Sequence, residues 1–229
     1  SATSLEQALR QRRSVRSYAD RPISLGDLSQ ILWAAQGLSG TGDRRTVPSA
    51  GALYPLEVYV VAGAVTDLPA GVYAYEPEKH TLRRITEGDV RADLCRAALN
   101  QASVRSAAAD LVISAITART TVKYGQRGVR YVHMEAGHAS QNVYLQAAAL
   151  GLGTVAIGAF DDDGVGVRAK DAPHDAADAA DGLFFAFGGR LRSGGRELGQ
   201  HLAGGVLAIA DAGHQIVGVV DAAESVARF

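Results

Sequence analysis

One run constrains this chain more than any other: VRYVHMEAGHASQNVYLQAAAL, from Val129 to Leu150. Val132, Ala136, Ala139, Val143 and Leu150 recur at helical spacing, Met134, Leu145 and Ala148 widen that face, and Gly151 supplies the stop. A helix of this length with one broad apolar face has to be the pillar around which the other elements pack. With 229 residues, 47% of them hydrophobic, the chain can build one sizeable core around it.

The rest reads as a mixture of helices and strands. Ser4 is placed to cap a helix over residues 4–12, and Ser24 to cap a second one marked by Leu25, Leu28, Ile31, Leu32 and Ala35. Leu56–Ala62 is apolar and β-branched enough for a buried strand. GVYAYE and TLRRI, separated by PEKH, form an expected hairpin. A helix is expected over Asp89–Asn100, and strands over Asp110–Thr117, residues 154–160 and residues 183–189. DDDGVGVRA reads as a short helix or turn, DAPHDAADAADG as a loop, and GVLAIADAGHQIVGVVD as two strands joined by a turn. This order predicts an α+β fold, a sheet covered by helices.

Composition removes several function classes. Twenty-three basic and twenty-four acidic residues are dispersed, so the single-sign field expected of a nucleic-acid or acidic-membrane ligand is missing. Cys95 stands alone, which excludes an intrachain disulfide framework, and no Cys/His cluster has zinc spacing. Cys95 is expected as a small apolar residue on a helix face. The opening residues lack the apolar core of a signal peptide and no run approaches bilayer length, so a soluble, cytoplasmic protein without a membrane or nucleic-acid partner is expected.

Two segments carry chemistry. Arg12, Arg13, Ser14 and Arg16 cluster just after the first helix; guanidiniums and a hydroxyl so placed suit a phosphate, and equally a solvated basic turn. PSAGALYP, residues 48–55, puts small residues in a loop directly before a strand, where backbone amides can approach a flat ligand or simply turn the chain. Asp161, Asp162 and Asp163 are consecutive and do not converge as metal ligands would, so no metal is expected, and His138 inside the long helix is expected as a hydrogen-bonded structural residue.

RRSVRSY followed by PSAGALYP resembles the two N-terminal signatures of the FMN-binding nitroreductase superfamily, and the resemblance extends over residues 5 to 192. It implies a central, mostly antiparallel sheet flanked by helices with a long central helix, in a homodimer that binds FMN. Arg12, Arg13, Ser14 and Arg16 would then hold the phosphate and ribityl chain, with Arg190 reaching the phosphate from the last core strand. Pro48, Ser49, Ala50, Gly51 and Leu53 would meet the flavin from the other subunit. Gln101 would face the ribityl or pyrimidine edge, and Ala156, Ile157, Gly158 and Ala159 would present backbone groups to the flavin N5 edge, where donors stabilise developing charge.

VKYGQRGVRYVHMEAGHASQN resembles the branch of SagB-type dehydrogenases, which oxidise azoline rings to azoles. In that branch a Lys-Tyr pair is assigned to proton transfer, which falls here on Lys123 and Tyr124. The reaction removes a proton from one ring carbon and a hydride from its neighbour, so a base is needed beside FMN. The resemblance implies a peptide or carrier-bound azoline substrate brought by a cyclodehydratase or synthetase partner. A generic NAD(P)H-dependent nitro or quinone reductase and a flavin-binding partner without turnover are the alternatives. The expected organisation is an FMN-binding domain over residues 1–192 and an extension over 193–229, a hairpin packing on the same domain or on the partner subunit.

Overall fold

The computed structural model describes residues 2–161, 181–188 and 226–228. α1 (Leu5–Gln11) opens on Ser4, whose side chain accepts from the Gln7 amide while the Gln7 side chain accepts from the Ser4 amide. β1 (Ile23–Ser24) leads into α2 (Leu25–Gln36), capped by Ser24 through the Asp27 amide. Then come β2 (Leu56–Ala62), β3 (Val65–Thr66), the hairpin of β4 (Gly71–Glu76) and β5 (Thr81–Glu87), α3 (Arg91–Ala97) and α4 (Ala102–Ser106). β6 (Ala109–Ala115), α5 (Ala118–Tyr124), α6 (Arg127–Leu150), β7 (Gly153–Ile157), β8 (Asp181–Gly188) and β9 (Val226–Arg228) complete the described order.

Seven strands form one sheet in the order β7-β8-β6-β2-β4-β5-β9, and each of its pairings is antiparallel. β1 and β3 make a small parallel pair beside it. Alternation along β2 sends Val58 and Val60 to one face and Tyr59 and Val61 to the other. The first face packs on α2 and α6 through Leu28, Ile31, Leu32, Val132, Ala139 and Val143; the second packs on α3 and α4 through Leu94, Cys95, Ala98 and Val104. The expected helix-covered, antiparallel sheet is therefore present, with the long helix across one face.

Several expected bounds change. The helix expected over Asp89–Asn100 runs only from Arg91 to Ala97, because Leu99 and Asn100 take φ of 54° and 58° and turn the chain out of it. α4 and α5 had no counterpart in the sequence reading. The strand expected over 154–160 ends at Ile157, so Gly158 and Ala159 lie beyond it. Cys95 is buried in the second core as expected, whereas His138 is exposed. Arg190 and the hairpin expected over 205–221 lie outside the described residues, as does DDDGVGVRA after its first aspartate. Val226–Arg228 pairs along β5 at the sheet edge.

α5 and α6 approach closely at one point. A Cβ built on Gly128 would stand 3.0 Å from the backbone of Thr120 and Thr121, so this position has to lack a side chain. The contact fixes the far end of α5, where Lys123 and Tyr124 sit, against the start of α6. Among the described residues no helix is long and apolar enough to cross a membrane.

Candidate functional site

The basic turn is built by the end of α1. Arg13 donates from Nε to Gln11 O at 3.1 Å and from Nη2 to Arg10 O at 3.2 Å, satisfying carbonyls that a helix end leaves open. The chain then runs beside β7, with Val15 N–H donating to Thr154 O at 2.9 Å. Tyr144 of α6 closes the gap: its hydroxyl is 2.9 Å from Ser14 Oγ and accepts from Ala156 N–H at 2.8 Å. The Arg12 guanidinium lies 5.2 Å over the Tyr144 ring. A cavity of about 280 Å³ opens here, lined by Gln11, Arg12, Arg13, Tyr144 and Thr154 among others. The Arg12 and Arg13 guanidiniums on its lining give it the chemistry of an anion site.

The second cluster gathers around residues 48–55. Ser49 Oγ accepts from Tyr54 N–H at 2.9 Å, and a 3-10 turn over Ala50–Ala52 carries Gly51 at φ 66°. A Cβ on Gly51 would lie 2.8 Å from the Tyr124 hydroxyl and 3.0 Å from Lys123 Nζ. Both functional ends therefore converge on the one residue of the turn that has no side chain. Tyr124 is fixed edge-on to Tyr131, with ring centroids 5.1 Å apart, and Lys123 Nζ lies 5.5 Å from the Tyr124 ring centroid. Arg119 braces the arrangement, donating to Tyr54 O at 3.2 Å and to Glu57 Oε1 at 2.6 Å.

Beneath this loop α6 buries Glu135, which is 3% exposed. Burial pushes its carboxyl up to about 7, against the opposing influence of Ser49, Arg45 and Gln36.

The structure thus gathers most of the expected residues into two clusters. Arg12, Ser14 and Ala156 meet through Tyr144, with Arg13 on the same cavity; Ser49, Gly51, Lys123 and Tyr124 meet at the loop, with Pro48, Ala50 and Leu53 in the same segment. Arg16 is exposed beside the first cluster. Two expectations change in detail. The Ala156 N–H is engaged by Tyr144, and the Gln101 amide nitrogen donates to Ala98 O at 3.1 Å and Ala159 O at 2.8 Å, so Gln101 ties down the chain beyond β7. Tyr144, Arg119 and Glu135 were missed by sequence reasoning. Only Glu135 had a signal, a carboxylate three residues after Val132 and four before Ala139 on the apolar face of a helix.

The pattern of the nitroreductase family matches residues 9–171. The chain belongs to that family. A nitroreductase-type protein of Methanocaldococcus jannaschii is 52% identical over 159 residues, 69% of this chain and 80% of that protein. Among solved structures, a nitroreductase-type protein of Anabaena variabilis matches at TM-score 0.68 and 29% identity over 82% of this chain, which spans only 38% of that one. The microcin synthetase McbBCD complex of E. coli, solved with truncated pro-MccB17 bound, matches at TM-score 0.66 and 25% identity, over 80% of this chain and 70% of that one. A nitroreductase-type protein of Desulfovibrio desulfuricans, solved in complex with FMN, shares the fold at TM-score 0.54 and 22% identity, over 86% of this chain and 94% of that one. As a family member the chain is an oxidoreductase of nitroreductase type.

The link between the first cluster and β7 can be tested directly. Tyr144→Phe keeps the ring under Arg12 but removes the hydroxyl and strands the Ala156 N–H. A cost of about 1–2 kcal/mol is expected, seen as a melting temperature lower by a few degrees. An unchanged melting curve would show that the hydroxyl holds nothing.

Proposed function

We propose that this protein is an FMN-dependent dehydrogenase of the SagB type that oxidises thiazoline or oxazoline rings, in a peptide or carrier-bound intermediate, to thiazole or oxazole. The observation that carries the reading is the convergence of Lys123 Nζ and Tyr124 OH over Gly51. The residues present fit the phosphate of FMN: Arg12 and Arg13 line the cavity beside Ser14, and with Arg16 and Arg190 they would hold the phosphate and ribityl chain. FMN, when bound, supplies the two-electron acceptor that takes the hydride lost by the azoline.

The chain's own residues have the proton to handle. Lys123 Nζ is the base for the ring-carbon proton, and the Tyr124 hydroxyl, held by its ring against Tyr131, orients or relays it. Pro48–Leu53 shapes the wall, and the Gln101 bridge to Ala159 steadies the chain that leaves β7 toward Gly158 and Ala159. The two clusters hang from one helix: Glu135 and Tyr144 are nine residues apart, about 14 Å along α6 at 1.5 Å per residue. That separation supports a homodimer in which the 48–55 loop meets the flavin held by the basic turn of the other subunit. The exposed Leu5 and Leu9 of α1, with Met134 of α6, leave apolar surface for such a partner. The likeness to the microcin synthetase complex favours a synthetase partner that delivers the substrate.

The 52% identity to a nitroreductase-type protein favours a second reading, generic NAD(P)H-dependent reduction of nitro or quinone compounds. Anaerobic mixing separates the two. A thiazoline peptide is expected to bleach the flavin absorbance in step with thiazole formation; bleaching by NAD(P)H alone, with none by any thiazoline or oxazoline peptide, would sink the azoline reading.

A further inference from the structure

The 48–55 loop turns through Gly51, Ala52 and Tyr54 at φ of 66°, 54° and 45°. Glycine takes such a conformation freely, but Ala52 and Tyr54 carry side chains, and their strain persists only where the surroundings enforce it. Tyr54 is held at three points. Its N–H donates to Ser49 Oγ at 2.9 Å and closes the turn that carries Gly51, its carbonyl accepts from Arg119 Nη1 at 3.2 Å, and the Arg45 guanidinium lies 4.9 Å from the centre of its ring. Two arginines therefore bracket it, each paired with a glutamate: Arg119 with Glu57, and Arg45 with Glu78. They do different work. Arg119 bonds the main chain and would hold any residue there, whereas Arg45 holds the aromatic ring.

Arg45 is itself fixed at both ends. Its Nη1 donates to Oε1 of Gln36, the fully buried last residue of α2, at 3.1 Å, and its Nη2 to Glu78 Oε1 in the β4–β5 turn at 2.9 Å. The side chain is only 12% exposed, so its contacts with Gln36 and with the Tyr54 ring are shielded from water, where each counts for more than at a surface. The main chain beside it is pinned as well: Thr46 N–H donates to Gly37 O at 2.9 Å, Thr46 Oγ1 to Trp33 O at 2.9 Å, and Asn142 Nδ2 of α6 to Thr46 O at 3.3 Å. We propose that Arg45 is the positioning residue of the 48–55 loop: fixed by Gln36 and Glu78, it clamps the Tyr54 ring and, through the bond from Tyr54 to Ser49, sets where Gly51 stands against Lys123 and Tyr124. The proposal rests on the reading of this loop and the Lys-Tyr pair as the substrate site.

Hydrogen exchange on the full chain tests the clamp. In Arg45→Met the amides of Ala52 and Tyr54 are expected to exchange about tenfold faster than in the wild type, while those of β2 and β6 keep their protection. Arg45→Lys keeps a cation over the ring and is expected to bring the loop back to within about threefold of the wild type. Loop amides that exchange at the wild-type rate in Arg45→Met, or protection lost equally from loop and sheet, overturn the proposal. Tyr54→Leu removes the ring and leaves the guanidinium; it is expected to loosen the same two amides, and Arg45→Met added to it to loosen them no further. Additive loosening is fatal, because Arg45 would then act by another route. If Arg45→Met does not fold, Tyr54→Leu alone decides, and wild-type exchange at Ala52 in that variant sinks the clamp. Turnover of a thiazoline peptide separates this idea from the one it rests on. A kcat about tenfold lower in Arg45→Met, with KM near the wild-type value and recovery in Arg45→Lys, supports it, since misplaced groups cost the chemical step rather than binding; an unchanged kcat beside a loosened loop overturns it. No turnover by the wild type defeats the azoline reading instead, and the exchange results then decide the clamp by themselves.

Discussion

Replacing Lys123 by Ala is expected to slow azole formation by about a hundredfold to ten-thousandfold, the range that a positioned general base contributes, while the purified protein stays yellow. The two effects separate because the residues stand apart. Lys123 is exposed at the end of α5, and the basic turn is secured by its own contacts with α1, β7 and Tyr144. Flavin retention therefore does not depend on the Lys123 side chain, but removal of the ring-carbon proton does. Tyr124→Phe is the finer probe. It keeps the edge-on contact with Tyr131 and removes only the hydroxyl that meets Gly51, so a smaller loss is expected with no change in melting temperature. The measurement is loss of two hydrogens from a thiazoline peptide, followed by mass spectrometry, beside NAD(P)H-driven flavin reduction in the same preparation. Full azole formation by Lys123→Ala would remove the base assignment.

Why this pair could be found in the sequence, and its supports could not, is a matter of range. The Lys-Tyr dipeptide, the basic turn and PSAGALYP are local patterns, and each keeps its identity whatever the fold does around it. Tyr144 joins Ser14 to Ala156 across 130 residues in one direction and 12 in the other, and no spacing announces such a bond. Arg119 was hidden for another reason. It belongs to α5, whose residues ARTTVKY show no apolar stripe; Thr120 is its buried residue and Val122 is 90% exposed. That helix is held by the close approach at Gly128 and by the Arg119–Glu57 ion pair, neither of which leaves a periodic signal.

The elements that were legible are those whose own residues decide them. Ser4 and Ser24 announce the starts of α1 and α2 because each satisfies an open helical amide, and the alternation of β2 announces two buried faces. The bounds that moved were set by contacts or strain from elsewhere. α3 stops early because Leu99 and Asn100 turn left-handed, after which the Asn100 amide bonds Cys95 O and Gln101 reaches across to Ala159. Asp110 is the extreme case: inside an apolar strand it is fully buried, and burial raises its carboxyl well above the usual range, a state that nothing in DLVISAIT foretells.

The largest effect on stability is expected from Leu111→Ala. Leu111 is 0% exposed on β6, flanked in the sheet by Val60 and Phe185, and it belongs to the core face shared with α2 and α6. Truncation loses the transfer free energy of the removed carbons and leaves a cavity that a sheet bonded on both sides of β6 is poorly able to close. A cost of about 3–4 kcal/mol follows, equivalent to a fall of roughly 10 °C in melting temperature for a chain of this size. Val122→Ala is the matched control: it also removes methyl groups, but from a side chain in solvent, and is expected to stay within about 0.5 kcal/mol of the wild type. Thermal melts followed by far-ultraviolet circular dichroism compare the three proteins. A shift below 2 °C for Leu111→Ala would mean that the centre of the sheet is not packed as described. Because α5 begins at Ala118, just beyond the end of β6, that result would also undercut the placement of Lys123 and Tyr124 over Gly51.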